Sequence, residues 1–226
     1  MEFSKANKRD LAGIKEIWLE QFSQDKDYIN YIIPALYKLG DFYIIKKESS
    51  IVSTLCTLPI KYINREKNIN LSGYYIYGVA TKKSHEKKGY SSILLQNVEA
   101  LFKSNNISFT ILHPVNEQLA GFYIKRGYTI HINRQYFIFP TYFNQISNSK
   151  ELCTVALYNH LNHSCNNYFK WDISMLEHII ESGEFSLYLS IQENKDTSLT
   201  YILLNPIDQE LKSNYLTNAL FLFPME

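Results

Sequence analysis

Residues 79–95 carry the spacing with the clearest capacity for chemistry. A β-rich run over 74–81 stops at a short, polar and basic loop, passes a single glycine at Gly89, and enters a helical pattern. In that pattern Ile93, Leu94, Asn97, Val98 and Leu101 recur at helix spacing. A strand that feeds a helix through a glycine turn leaves the first backbone N–H groups of the helix without carbonyl partners. They point into the loop at the positive end of the helix dipole and form a site suited to phosphate or pyrophosphate. On the loop alone, an ordinary strand–loop–helix junction with solvated lysines has the same appearance.

A second segment, 116–128, reads as a helix with Leu119, Phe122, Tyr123 and Arg126 on adjoining turns. Gly127 stands where a left-handed C-terminal cap needs it, and a strand begins at Tyr128. Between the two segments, 107–112 is a short apolar strand that ends at His113-Pro114.

Together these segments resemble the GNAT superfamily of N-acyltransferases. The acyl-CoA-binding pattern of that family is Arg or Gln, two residues, Gly, one residue, then Gly or Ala. It falls on Glu86-Lys87-Lys88-Gly89-Tyr90-Ser91, with Glu86 in place of Arg or Gln and Ser91 in place of Gly or Ala. Ser91 is small enough for close backbone approach. Glu86 sets a negative charge beside the expected pyrophosphate unless its side chain turns away, and Lys87 and Lys88 are placed to offset it. The later family motif, an Asn and an Ala before a Phe-Tyr pair and a Gly-aromatic, falls on Asn116, Ala120, Phe122-Tyr123 and Gly127-Tyr128. Upstream, Trp18 with Phe22, residues 25–29, Leu58-Pro59 and residues 75–81 look like a bacterial GNAT subgroup with an extra C-terminal region.

The resemblance implies a βαβαβ core and direct transfer of an acetyl group from acetyl-CoA to an amine in a ternary complex. Backbone groups of Lys87, Lys88, Gly89, Tyr90, Ser91 and Ser92 would take the pyrophosphate. Val79, Ala80 and Thr81 would lie beside the pantetheine arm, with Asn116 on its other side. Tyr123 matches the family's general acid for the departing thiolate, although its pattern alone also suits a core aromatic. Many family members place a carboxylate on the strand before the phosphate loop; here Tyr74, Tyr75 and Tyr77 occupy it, so no base is named. Two other readings stay open: a GNAT-fold module that holds acyl-CoA without turnover, and an interaction protein that has lost CoA.

The elements that must position these residues read as an α/β fold of the α+β type, a central mixed sheet flanked by helices. Leu11, Ile14, Ile17, Trp18 and Phe22 share one face of a helix over 8–22. A second helix over 28–39 contains Pro34, expected to kink or restart it, and Gly40 ends it. Residues 42–45, 51–59 and 74–81 form a meander with turns at 48–50 and 64–70.

Beyond residue 140 a helix over 150–161 precedes a capping-box helix that opens at Ser174 and ends at Gly183, then strands over 185–191 and 199–204. The helix–glycine–hairpin order repeats that of 27–60, so 141–226 is expected to be a smaller α/β half-domain, a partial GNAT repeat appended to a catalytic domain over 1–140; any helix–glycine–hairpin unit has the same look. The apolar end, 220–226, is expected to pack back onto the protein. In enhanced-intracellular-survival-type GNAT enzymes the terminal carboxylate is the base, a role open to Glu226.

Of 226 residues, 46% are hydrophobic and 15% aromatic, with 18 tyrosines, enough for a sizeable core. Lys plus Arg at 23 against Asp plus Glu at 22 leaves +1, which removes the electrostatic case for nucleic-acid or membrane partners. Three cysteines argue for a reducing compartment, and the N-terminus lacks an apolar signal core, so a cytoplasmic protein is expected. His160, His163 and Cys165 lack a standard zinc spacing, and no metal is expected. The partners expected are acetyl-CoA and an amine acceptor, with a second copy of the chain allowed.

Overall fold

The computed structural model describes residues 1–22, 26–132, 167–181 and 201–206. The chain divides into two compact units. The first comprises Met1–Pro59, Tyr74–Leu112 and, of the described residues beyond, Pro206; the second includes Ile60–Gly73 and the described residues from His113 to Asn205.

In the first unit the elements run β1 (Glu2–Lys5), a 3-10 turn (Lys8–Asp10), α1 (Leu11–Phe22), α2 (Lys26–Leu39), β2 (Asp41–Lys47), the first part of β3 (Ser50–Asn64), the last part of β4 (Ile69–Thr81), α3 (Tyr90–Ser104) and β5 (Phe109–Leu112). Strand order is β1-β2-β3-β4-β5. β1 and β3 pair antiparallel with β2. β5 follows β4 through the helical crossover that a parallel neighbour requires, which makes the sheet mixed.

Adjacent residues of β2 show the layering. Phe42 meets Trp18 of α1 at 5.8 Å between ring centres, whereas Tyr43 meets Phe102 of α3 at 6.2 Å. Because strand side chains alternate faces, α1 and α3 cover opposite sides of the sheet. The α1 stripe lays down Ile14, Ile17 and Trp18 as buried residues, and α3 does the same with Leu94, Leu95, Val98 and Phe102. The β2–β3 hairpin turns at Glu48 and Ser49, both left-handed (φ 49° and 67°), as a tight two-residue turn requires.

Three local features depend on contacts that the sequence pattern does not show. β1 is an edge strand that the sequence pattern does not announce, held by pairing to β2 and by Phe3 stacked on Tyr43. α2 is one helix that passes through Pro34. Ile29, Ile32, Ile33 and Leu36 bury one face on both sides of the proline, and that burial outweighs the roughly 3 kcal/mol that an interior proline costs. Gly40 ends α2 as expected, but for close packing: an added Cβ would run into the carbonyl oxygen of Thr57.

In the second unit the ends of β3 and β4 meet in a turn over 65–68, where the Asn64 side chain accepts from Lys67 N at 3.0 Å. A strand not read from the sequence, β7 (Asn167–Lys170), pairs antiparallel with β3, setting Phe169 opposite Tyr62. α4 (Glu117–Ile124) precedes β6 (Thr129–Ile132), which pairs antiparallel with β8 (Tyr201–Pro206). The late helix α5 (Ile173–Glu181) begins before Ser174, because the Asp172 carboxylate, not Ser174, accepts from the first turn, at Met175 N (2.9 Å). The expected helix over 150–161, strand over 185–191, Gly183 stop, boundary at 140 and terminal segment over 220–226 all lie outside the described residues, as do His160, His163 and Cys165.

Burial, reinforced by the Asp41 carboxylate, pushes the Tyr43 phenol up to about 12 from an ordinary 10. The same two causes push the fully buried Cys56 thiol well above its usual value. Both groups resist ionisation when folded, so their contribution to stability is complete below pH 9 and is lost as pH rises, for Tyr43 between pH 10 and about 12. Urea midpoints should fall over that window, and Tyr43→Phe should flatten the fall; an identical decline in the variant would count against this account.

Candidate active site

The loop from Thr81 to Tyr90 connects β4 to α3 in the first unit. Gly78, inside β4, is left-handed (φ 58°), the conformation of a bulge residue, and the Trp18 indole lies where its Cβ would be. Past this kink, Ser53 donates to Ala80 O at 3.0 Å, and its hydroxyl lies 3.0 Å from that of Thr81. Ala80 is buried, while Val79 and Thr81 are half-buried. A 3-10 turn, Lys83–His85, follows. Lys87 and Gly89 are both left-handed (φ 58° and 81°), and Gly89 is the N-cap of α3 with no side-chain cap.

The first intrahelical bond of α3 runs from Ile93 N to Gly89 O at 3.0 Å. The preceding amides, Tyr90 and Ser91 among them, therefore have no carbonyl to reach within the helix. A Cβ added to Gly89 would meet no protein atom within 4 Å. Left-handed residues on either side of Lys88, opening onto uncapped amides, form the concave donor surface that suits a phosphate group. The Lys88 ammonium folds back to Ser84 O at 2.8 Å, which keeps a positive charge within the loop.

Glu86 is partnered by neither Lys87 nor Lys88. Its Oε1 accepts from Gln21 Nε2 at 2.7 Å, and the same Nε2 donates to Thr81 O at 2.7 Å. The neighbouring Glu20 carboxylate accepts from Lys83 N at 2.9 Å. Glu20 and Gln21 thus hold the loop from the end of α1. Sequence reading missed them, because a separation of some sixty residues leaves no local spacing to detect. His85 is a loop residue whose Nδ1 meets the Ser84 hydroxyl at 2.9 Å.

The tyrosines that stand in place of a strand carboxylate point to different neighbours. Tyr74 stacks on Phe102 at 4.3 Å, and Tyr77 packs edge-on to Trp18 at 5.7 Å. Burial first, then Asp41, raises the Tyr74 phenol above its usual range.

In the second unit, α4 carries the remaining candidates. Asn116 is the N-cap of α4; its Oδ1 accepts from Leu119 N at 2.9 Å, which leaves its amide N–H groups as the donors it can offer. Tyr123 is buried between Phe122 (5.1 Å) and Tyr128 (5.5 Å). Burial raises its phenol far above the usual value, against a smaller opposing effect of Arg126. Gly127 is left-handed (φ 93°), as the capping role requires.

Among the described residues, no cluster of three or more His, Cys, Asp or Glu is arranged to hold a metal, and no helix is long and apolar enough to cross a membrane.

A mixed sheet flanked by helices, with a glycine-opened helix after its fourth strand, defines a GNAT-like fold. Residues 2–131 match the model of the acetyltransferase (GNAT) domain, more than half of the chain. The chain belongs to the GNAT acetyltransferase family. Solved structures agree at the level of fold. A GCN5-related N-acetyltransferase from Anabaena variabilis superposes with a TM-score of 0.58 at 14% identity, covering 79% of this chain and 47% of that one. One from Kribbella flavida gives 0.54 at 12% identity, covering 79% and 49%. A probable N-acyltransferase from Enterococcus faecalis gives 0.50 at 15% identity, covering 58% and 33%. The matched region thus spans half or less of each of these chains. No curated protein matches the sequence.

Proposed function

We propose that the protein is an N-acyltransferase that moves an acetyl group from acetyl-CoA to a primary amine of a small molecule or a protein. The amine attacks directly within a ternary complex. The observation that carries this reading is the loop before α3, where left-handed Gly89 opens the helix onto uncapped amides within the region that matches the GNAT acetyltransferase domain. Backbone donors over 87–92 bind the pyrophosphate, and Val79, Ala80, Thr81 and the Asn116 amide serve the pantetheine arm. The catalytic domain is assigned to 1–140 and an appendage to 141–226, with the cytoplasm as the working compartment.

In the reaction, the amine nitrogen forms a bond to the acetyl carbonyl carbon, the carbon–sulfur bond breaks, and CoA leaves as a thiolate. Tyr123 gives that sulfur a proton, and the proton that the nitrogen sheds as the amide forms restores the phenol. Burial keeps its phenol protonated near neutrality, the form a proton donor needs, and excludes the role of a base there, while making it a weaker acid than an exposed tyrosine. A primary amine has a pKa of about 10.4 in water and must shed a proton before attack. No carboxylate lies between Tyr74 and Thr81, so that segment supplies no carboxylate base for this proton.

The missing strand carboxylate also favours a second reading, a module that binds acyl-CoA without turnover. Thermal unfolding with CoA or acetyl-CoA, followed by thiol release with an amine panel, separates the two. Ligand at 100 times its dissociation constant adds about 2.7 kcal/mol. Stabilisation with thiol release supports the transferase, stabilisation alone supports the module, and absence of stabilisation overturns both.

A further inference from the structure

We propose that Gln21 is a positioning residue that keeps the Glu86 carboxylate off the anion-binding start of α3. This inference rests on the acyl-CoA reading of that loop. Glu86 stands three residues before Gly89, at the position where the family has Arg or Gln, and its chain neighbours Lys87 and Lys88 do not pair with it. A carboxylate so placed has a natural destination, since helix N-termini with uncapped amides attract acidic side chains. Swung onto the amides of Tyr90 and Ser91, it would occupy the donors meant for pyrophosphate and repel that group as well.

The structure supplies a competing anchor. Gln21 Nε2 donates to Glu86 Oε1 and to Thr81 O, both at 2.7 Å, so both amide hydrogens are engaged and the side chain is fixed between two points of the loop. Glu20 fixes a third point at Lys83 N. The carboxylate that sequence alone would count against CoA binding is thereby tied to the end of α1. A neutral carboxamide is the right group here, because it restrains the carboxylate without adding a charge at the pyrophosphate site.

The test is a double-mutant cycle read as CoA affinity by calorimetry, using Gln21→Met, which keeps helix propensity and side-chain length, with Gln21→Ala alongside. Gln21→Met should weaken CoA binding by about tenfold at low ionic strength, the scale of one released charge near a pyrophosphate. The loss should shrink at high salt, where exposed charges are screened. In a Glu86→Gln background the same substitution should have little effect. A merely structural loosening of the loop would weaken binding equally in both backgrounds and be insensitive to salt, and that result overturns the proposal, as does unchanged affinity in Gln21→Met. Failure of the parent protein to bind CoA overturns the acyl-CoA reading and this inference with it; loss of the coupling alone overturns only the inference.

Discussion

Gly89→Val is expected to lower CoA affinity by about 10²-fold or more while leaving a folded protein. The loss corresponds to two or more charge-assisted hydrogen bonds at roughly 1.5–3 kcal/mol each. The protein itself does not crowd the position: an added Cβ meets nothing within 4 Å, so the branched side chain would project where a phosphate must approach the α3 amides. The left-handed backbone (φ 81°) adds strain of about 1–2 kcal/mol for any L side chain. Gly89→Ala carries most of that strain with less bulk, so the pair separates backbone distortion from obstruction. Calorimetric titration with CoA, beside a urea melt of each variant, reads both effects. Undiminished CoA affinity in Gly89→Val would remove the pyrophosphate from this loop.

Tyr123→Phe should reduce turnover by about 10²–10⁴-fold with little change in acetyl-CoA affinity, because only the proton given to the leaving sulfur is lost. The phenylalanine ring keeps the contacts with Phe122 and Tyr128, so the melting temperature should hardly move. The pH dependence gives an independent reading. An acid fails as pH rises through its own pKa, and burial places this one above the ordinary 10.0. The parent's kcat should therefore show no descending limb below pH 10 that disappears in Tyr123→Phe. Equal turnover by the variant would return Tyr123 to the aromatic core.

Apolar, β-rich runs in β2 to β4, helical spacing in α1 and α3, and glycines at the loop and after α4 were all legible, because each depends on neighbours within a few residues. So was the family pattern, carried by the residue types and order of the 86–91 loop and of the Asn116–Tyr123 segment. The sequence by itself thus determined the class of fold and the family to which the chain belongs. What it left undecided were matters of long-range contact. β1 exists because Phe3 meets Tyr43, and α2 runs through Pro34 because its buried face spans the proline. Asp172 rather than Ser174 caps α5, a choice of backbone start that two equally competent capping residues leave open. Above all, Glu86 reads in one dimension as a charge set against pyrophosphate. Only the tertiary structure brings Gln21 to it, across sixty-five positions, since a hydrogen bond depends on distance in space and leaves no trace in spacing along the chain.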